Sequence, residues 1–291
     1  MGKTARLVRW PVCRRGRRAL LLLAALGPLP FRAIQPQTCD KLRTDRTALI
    51  LGAYGVSQAA AIIIRHNDWW PNPSAGFHFA WEPSANRQQD RLLHAALSYQ
   101  ASQLGALAWD WACVPRTTAG WLGGALGVAI ALPKEIGDAF QEDRGFSGPD
   151  MLWTVGGSIL PALHRAWAPA RSILVKLNYW PSDEYRNRIG AEPQLESDYA
   201  GQRYYLAINP GRLPGGAGPW PDWLGLALGH SVPHWISAPP AHQWYVALDV
   251  NFRGIPLRAE WWRTVATVLD QFHVPLPGIR IQGGEVTFGL F

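Results

Sequence analysis

Three stretches of this chain run without a formally charged side chain for nearly the length of a bilayer crossing. "TALILGAYGVSQAAAIII" (47–64) and "LLHAALSYQASQLGALAW" (92–109, with His94 counted as neutral) are 18 residues each, and "TTAGWLGGALGVAIALP" (117–133) is 17. "MLWTVGGSILPAL" (151–163) is a shorter fourth. Apolar runs of this length read as helices that bury themselves against protein or lipid. Their Ala and Gly content makes them weakly hydrophobic for a membrane span and well suited to close helix–helix approach. The spacing therefore predicts about four helices over 47–172, as a small-residue-rich bundle that is either membrane-embedded or compact and soluble.

The texture changes near residue 173. "QRYYLAINP" (202–210), "WLGLALGHS" (223–231), "HQWYVALDVNF" (242–252) and "GIRIQGGEVTFGLF" (278–291) are short, aromatic or β-branched, and partly alternating, which reads as strands. "RAEWWRTVATVLDQF" (258–272) reads as one amphipathic helix. The expected class is α+β, with the helical part followed by a small antiparallel β region over 173–291. A closed outer-membrane barrel is not expected. Four strands are too few, and the apolar phase of the last segment (Val286, Phe288, Leu290) is not the phase of the terminal Phe291. "NDWWPNPSAGFHFAWEPS" (67–84), with three Trp and three Pro, reads as an irregular loop at a surface or lipid interface.

Charge bears on location more than on partners. The net charge of +7 resides in "GKTARLVRWPVCRRGRR" (2–18), which holds seven Lys/Arg; the remaining 21 Lys/Arg balance 21 Asp/Glu. A nucleic-acid surface is therefore not expected. The basic start, followed by "ALLLLAALGPLPF", predicts a secretory signal over 1–33 or, in the plainer reading, an N-terminal anchor. "QPQTC" lacks the small residues of a lipidation site before Cys39. Cys39 and Cys113 are either a disulfide or two isolated thiols, and their spacing is not that of a metal site. Charged residues are only 17% of the chain and Trp number 16, a composition that suits contact with a membrane surface and an aromatic-rich soluble core equally.

Three polar stations interrupt the apolar half. Asp90 and His94 lie at i and i+4, on one helix face. Glu135 and Asp138 lie at i and i+3 in "PKEIGDAF", beside Lys134. In "GFSGPD", Ser147 is a good N-cap with Asp150 at N3, a capping box with Asp in the Glu role. Each has an ordinary explanation: a carboxylate at a helix N-terminus, a solvated turn, a cap.

Together, "QDRLLH", "PKEIGDAF" and "GFSGPDMLWTVGG" resemble, in order and spacing, the YfiM-like family of predicted periplasmic or outer-membrane lipoproteins, a family without an established activity. Asp90, His94, Lys134, Glu135, Asp138, Ser147, Asp150 and Gly156 match its pattern. Arg91 replaces a Lys and keeps the charge, and Thr154 stands where Asn or Asp is common, so the hydrogen-bonding role of that position is not carried over from the resemblance. "VKLNYWPSDEY", "ESDYAGQRYYLAIN", "WPDWLGLALGHS" and "QWYVALDVNFRGIP" are similar to the C-terminal extension of longer members. A more distant similarity is to VanZ-like membrane proteins. The resemblance implies an exported protein of the periplasm or the outer or inner membrane of a Gram-negative bacterium.

The expected function is that of a membrane-associated envelope protein, structural or binding a membrane lipid or envelope component, with Asp90, His94, Lys134, Glu135, Asp138, Ser147 and Asp150 as a buried polar network. An enzymatic role is the lesser expectation. In it, His94 is the acid or base acting on a lipid or cell-wall precursor, oriented by Asp90 or Glu135. A soluble periplasmic scaffold is the third reading. No cofactor is expected. A metal held by His94, Glu135 and Asp138 is disfavoured, because only one histidine falls in the set. "GHSVP" (229–233) lacks the second Gly of a nucleophile elbow. His230 and His234 flank a proline, so they do not share a helix face.

Overall fold

A computed structural model describes residues 39, 41–81, 88–190, 192–215, 218–235 and 241–291, all within one compact unit. The predicted export segment, 1–33, lies outside the described residues. The chain is α+β. Helices α1 (Thr44–Trp69), α2 (Gln89–Trp111), α3 (Arg116–Asp138) and α4 (Gly148–Ala166) come first. Two-residue strands β1 (Phe79–Ala80) and β2 (Phe146–Ser147) pair in parallel between them. Then follow β3 (Ile173–Tyr179), α5 (Asp183–Ile189), β4 (Gln202–Ile208), β5 (Leu224–Ser231), β6 (Gln243–Val250), α6 (Glu260–Leu269), β7 (Pro277–Gln282) and β8 (Glu285–Leu290).

Helices α2, α3 and α4 pack on one another through glycine and serine. A Cβ on Gly127 would stand 2.0 Å from the Ser102 Oγ, and one on Gly157 would stand 2.1 Å from the Ala95 carbonyl oxygen. Only the missing side chain lets these backbones meet. Helix α1 differs. It is 26 residues long and has no buried residue, exposing Leu49, Leu51, Val56, Ile63 and Ile64. Its attachments include Arg46 donating to the Trp111 carbonyl at 2.6 Å, Ile50 against Trp109 and Ala119, the Tyr54 hydroxyl donating to the Ala129 carbonyl, an Arg65–Glu196 ion pair, and the Trp70 indole beyond its end. Cys39 and Cys113 form a disulfide, which settles the pairing and fixes the root of α1 to the α2–α3 connection. The loop after α1 is not wholly irregular. Phe77 meets Phe140 and Phe79 meets Phe146 edge to face, and β1 pairs with β2 there.

The β region has six strands rather than four, in the antiparallel order β3-β4-β5-β6-β7-β8. "ILVKLNY" supplies an unpredicted strand, and the stretch 278–291 is a hairpin turning at Gly283 and Gly284, both at positive φ. In antiparallel sheets the apolar face is usually covered and the polar face wet. Much of this sheet is inverted. Val175, Leu206, Leu228, Val246, Ile279 and Phe288 form one cross-strand row. Helix α2 covers its β3 end, through Leu93 and Ala96 near Val175 and Leu177. Leu206, Leu228, Val246 and Phe288 are exposed, Phe288 by 82%. The opposite face carries Lys176, Tyr205, Tyr245, Asp249 and His273 in its interior, all buried. Lys176 Nζ and His273 Nδ1 reach Asp249 at 2.8 and 2.7 Å. Helix α6, with Ala266 and Thr267 buried, and Phe291 help close that side.

Candidate functional site

The three polar stations converge at one end of the helices. Asp90 and His94 come from the first turns of α2, Lys134, Glu135 and Asp138 from the last turn of α3, and Ser147 and Asp150 from the start of α4. The chain folds this way because each helix is apolar and small along its length and polar at this end. Packing α2 on α3 and α4 brings the polar ends together.

His94 is the hub. Its side chain is 10% exposed, and its Nδ1 lies 2.9 Å from the Thr154 hydroxyl. The other ring nitrogen, Nε2, faces Glu135 Oε1 at 3.5 Å and Asp90 Oδ1 at 4.0 Å. Thr154 is fully buried, and the hydrogen-bonding role not carried over to this position is present: its hydroxyl fixes the imidazole. Neighbouring glycines divide their work differently from the expectation. Gly156, which matches the family pattern, faces open space, whereas Gly157 makes the close contact with α2.

The predicted capping box is half formed. The Ser147 hydroxyl accepts from the Asp150 N–H at 3.3 Å, but the reciprocal bond to the Ser147 N–H is made by Glu135 Oε2 at 3.2 Å. The carboxylate that completes the cap thus belongs to α3, and Asp150 turns toward His94 and Arg91, whose Nε is 3.8 Å away. Asp138 is drawn elsewhere. It accepts from Lys134 Nζ at 2.8 Å, Trp70 Nε1 at 3.0 Å and an Arg144 guanidinium nitrogen at 3.1 Å. Asp138 is therefore a structural anchor for the α1–α3 and β1–β2 connections. The set with metal-ligand spacing among the described residues is Asp90, His94 and Asp150, whose donor atoms all lie within 4.8 Å of one another. It is not His94, Glu135 and Asp138. Three donors of this kind could hold a divalent cation of the oxygen- and imidazole-preferring class.

Burial governs the electrostatics. It pushes the Glu135 carboxyl up to about 7, with Lys134 opposing and Asp150 and Asp138 adding to the rise. Burial raises Asp150 as well, with Asp90 next, and lowers His94 against the pull of Asp90. The site thus favours a neutral imidazole beside a carboxyl group that exchanges its proton near neutrality.

Sequence reasoning missed the roof of the site. The buried Tyr199 hydroxyl bonds Asp90, and burial followed by Asp90 holds that phenol protonated. Tyr204 donates to the Gln89 carbonyl at 3.2 Å, and the Gln89 amide meets His230 Nδ1 at 3.0 Å. His230 in turn pairs with His242 at 2.9 Å, not with His234. The "YY" and "GH" dipeptides lie in strands, where alternation alone could point one of each pair inward; nothing in their spacing names α2 as the partner.

No family model, curated protein or solved structure matches the chain.

Proposed function

We propose that this is an exported, membrane-associated envelope protein, of the kind its YfiM-like motifs resemble, belonging to the periplasmic side of a Gram-negative membrane. The observation that carries the reading is the inverted sheet. A row of exposed Leu, Val and Phe crosses the strands while the charged face is buried. Water penalises that arrangement and lipid rewards it. Helix α1 adds a second apolar surface, with a span-length window of mean hydropathy 1.8 and none of it buried. The Cys39–Cys113 disulfide supports an oxidising compartment. In this reading the small-residue helices form a bundle tied at one end by Asp90, His94, Lys134, Glu135, Asp138, Ser147 and Asp150, and the protein binds a membrane lipid or envelope component rather than turning one over.

Alkaline carbonate extraction of membranes tests this. Retention in the pellet is expected. Release of the whole population into the supernatant overturns the reading and favours a soluble periplasmic scaffold. Leu228→Asp with Val246→Asp should shift protein from pellet to supernatant without unfolding it.

One observation favours an enzymatic alternative. Glu135, pushed to about 7, faces the unbonded ring nitrogen of His94, whose orientation Thr154 fixes. That is a proton-transfer pair of the kind used for acid–base chemistry on a lipid or cell-wall precursor. His94→Gln keeps a polar side chain but removes the titrating ring. A folded variant that complements a deletion strain in full excludes this alternative.

A further inference from the structure

The opposite end of the helices carries a different charge. A cleft of about 170 Å³ opens among α2, α3, α4 and α6, and six of its lining residues are arginines: Arg116, Arg165, Arg171, Arg212, Arg253 and Arg263. Asp110 is the one carboxylate in the lining. Three of the guanidinium groups are neutralised. Arg165 makes two bonds to Asp110, at 2.7 and 2.9 Å; Arg253 reaches Asp270 at 2.8 Å; Arg212 reaches Asp222 at 3.4 Å. Arg171 donates only to the neutral His164 carbonyl, and Arg116 and Arg263 have no side-chain hydrogen bond or ion pair among the described residues. His164, also in the lining, adds no charge, because burial, then Arg253 and Arg171, push it down to about 3.

About three positive charges therefore crowd one cleft without counter-charge. Partial desolvation at the mouth of the cleft, then the nearness of Arg165 and Arg171, lowers the affinity of Arg116 for its own proton. Arg116 is also the first residue of the 23-residue helix α3, whose opening turn has no acidic side chain to offset the positive end of its dipole.

We propose that this cleft binds a ligand bearing a phosphomonoester or pyrophosphate group, with Arg116, Arg171 and Arg263 supplying the charge and Arg165 held in place by Asp110. A carboxylate brings one charge and two oxygens. A phosphate brings about two charges and three oxygens, and guanidinium forks match it in a bidentate manner. The ligand can be a phospholipid headgroup or a soluble phosphate. The cleft lies beside the root of α1, since Asp110 is two residues from Ala112, whose carbonyl accepts from the Arg43 N–H. The proposal stands on the cleft alone and holds whether or not α1 enters a bilayer.

The test uses the full chain in nonionic detergent, titrated calorimetrically with inorganic pyrophosphate in one arm. In the other arm it is titrated with mixed micelles containing phosphatidic acid, against micelles containing phosphatidylcholine. Saturable pyrophosphate binding that falls about tenfold or more in Arg116→Gln/Arg263→Gln supports the site with a soluble ligand. Binding only to phosphatidic acid micelles, lost in the same variant, supports it with a lipid headgroup. No binding in either arm, binding unchanged in the double variant, or an equal loss in Arg186→Gln/Arg188→Gln on α5 overturns it. Both substituted cleft arginines are exposed, and circular dichroism melts confirm folding. The single variants repeat the measurement if the double variant does not fold.

Discussion

The Nδ1 of His94 on α2 and the hydroxyl of Thr154 on α4 lie 2.9 Å apart, and this one bond sets which way the imidazole faces Glu135. Thr154→Val keeps the shape and removes the hydroxyl, leaving a ring nitrogen buried without a partner. The expected cost is about 1–3 kcal/mol, read as a lower denaturation midpoint with an unchanged slope. Thr154→Ser, which keeps the oxygen, should recover most of it.

Stability should depend on pH through Glu135. Its folded pKa, about 7, lies above the ordinary 4.5, so between those values the folded state binds more protons than the unfolded one. This contribution to stability is complete below about 4.5 and is lost as pH rises through 7. Asp150, also raised, has the same sign from a lower start. His94, lowered from 6.5, has the opposite sign in the window beneath 6.5. The difference between wild type and Glu135→Gln isolates the Glu135 share. The variant should gain relative stability as pH goes from 5 to 8, and parallel melting curves across that range would show the carboxyl does not titrate there.

Two adjacent glycines should respond in opposite directions to the same substitution. Gly157→Ala drives a methyl group to 2.1 Å from the Ala95 carbonyl oxygen, so α4 must move off α2, at a cost of about 1–3 kcal/mol or more. Gly156→Ala meets open space inside a helix and should stabilise by about 0.5–1 kcal/mol. Melting temperatures of the pair, measured side by side, check the helix packing directly.

Lys176 and Asp249 are both fully buried and joined at 2.8 Å. Lys176→Met leaves Asp249 without its ammonium partner and with the His273 Nδ1 at 2.7 Å, and the expected loss is about 3–5 kcal/mol. The double variant Lys176→Met/Asp249→Leu should recover much of that loss, because the charge that needed a partner is gone.

The stations were legible because each polar group interrupts an otherwise uncharged run, and an interruption at i, i+4 marks a face. Their convergence could not be read, since it depends on which helix ends meet. Hence Asp138 was grouped with His94, although Trp70 and Arg144 hold it away. A Thr hydroxyl is shorter than an Asn side chain, and whether it reaches a partner depends on helix spacing; Gly157 brings α4 close to α2 there. Strand β3 was invisible because Lys176 and Asn178 lie where a two-faced strand exposed to water would also carry polar groups, and only the fold shows that face to be the buried one. The alternation of Val286, Phe288 and Leu290 was read correctly as a phase. Its mismatch with Phe291 bears on a closed barrel alone, and only the fold shows that those three side chains share the bare face.

Helix α1 is fastened at both ends and loose between them. The Cys39–Cys113 bridge and the Arg43–Ala112 bond hold one end, and the Trp70–Asp138 bond holds the other. Midway, Tyr54 touches Ala129 through a single hydroxyl. A rod of 26 residues, about 39 Å long, pinned this way acts as a handle more than as a wall.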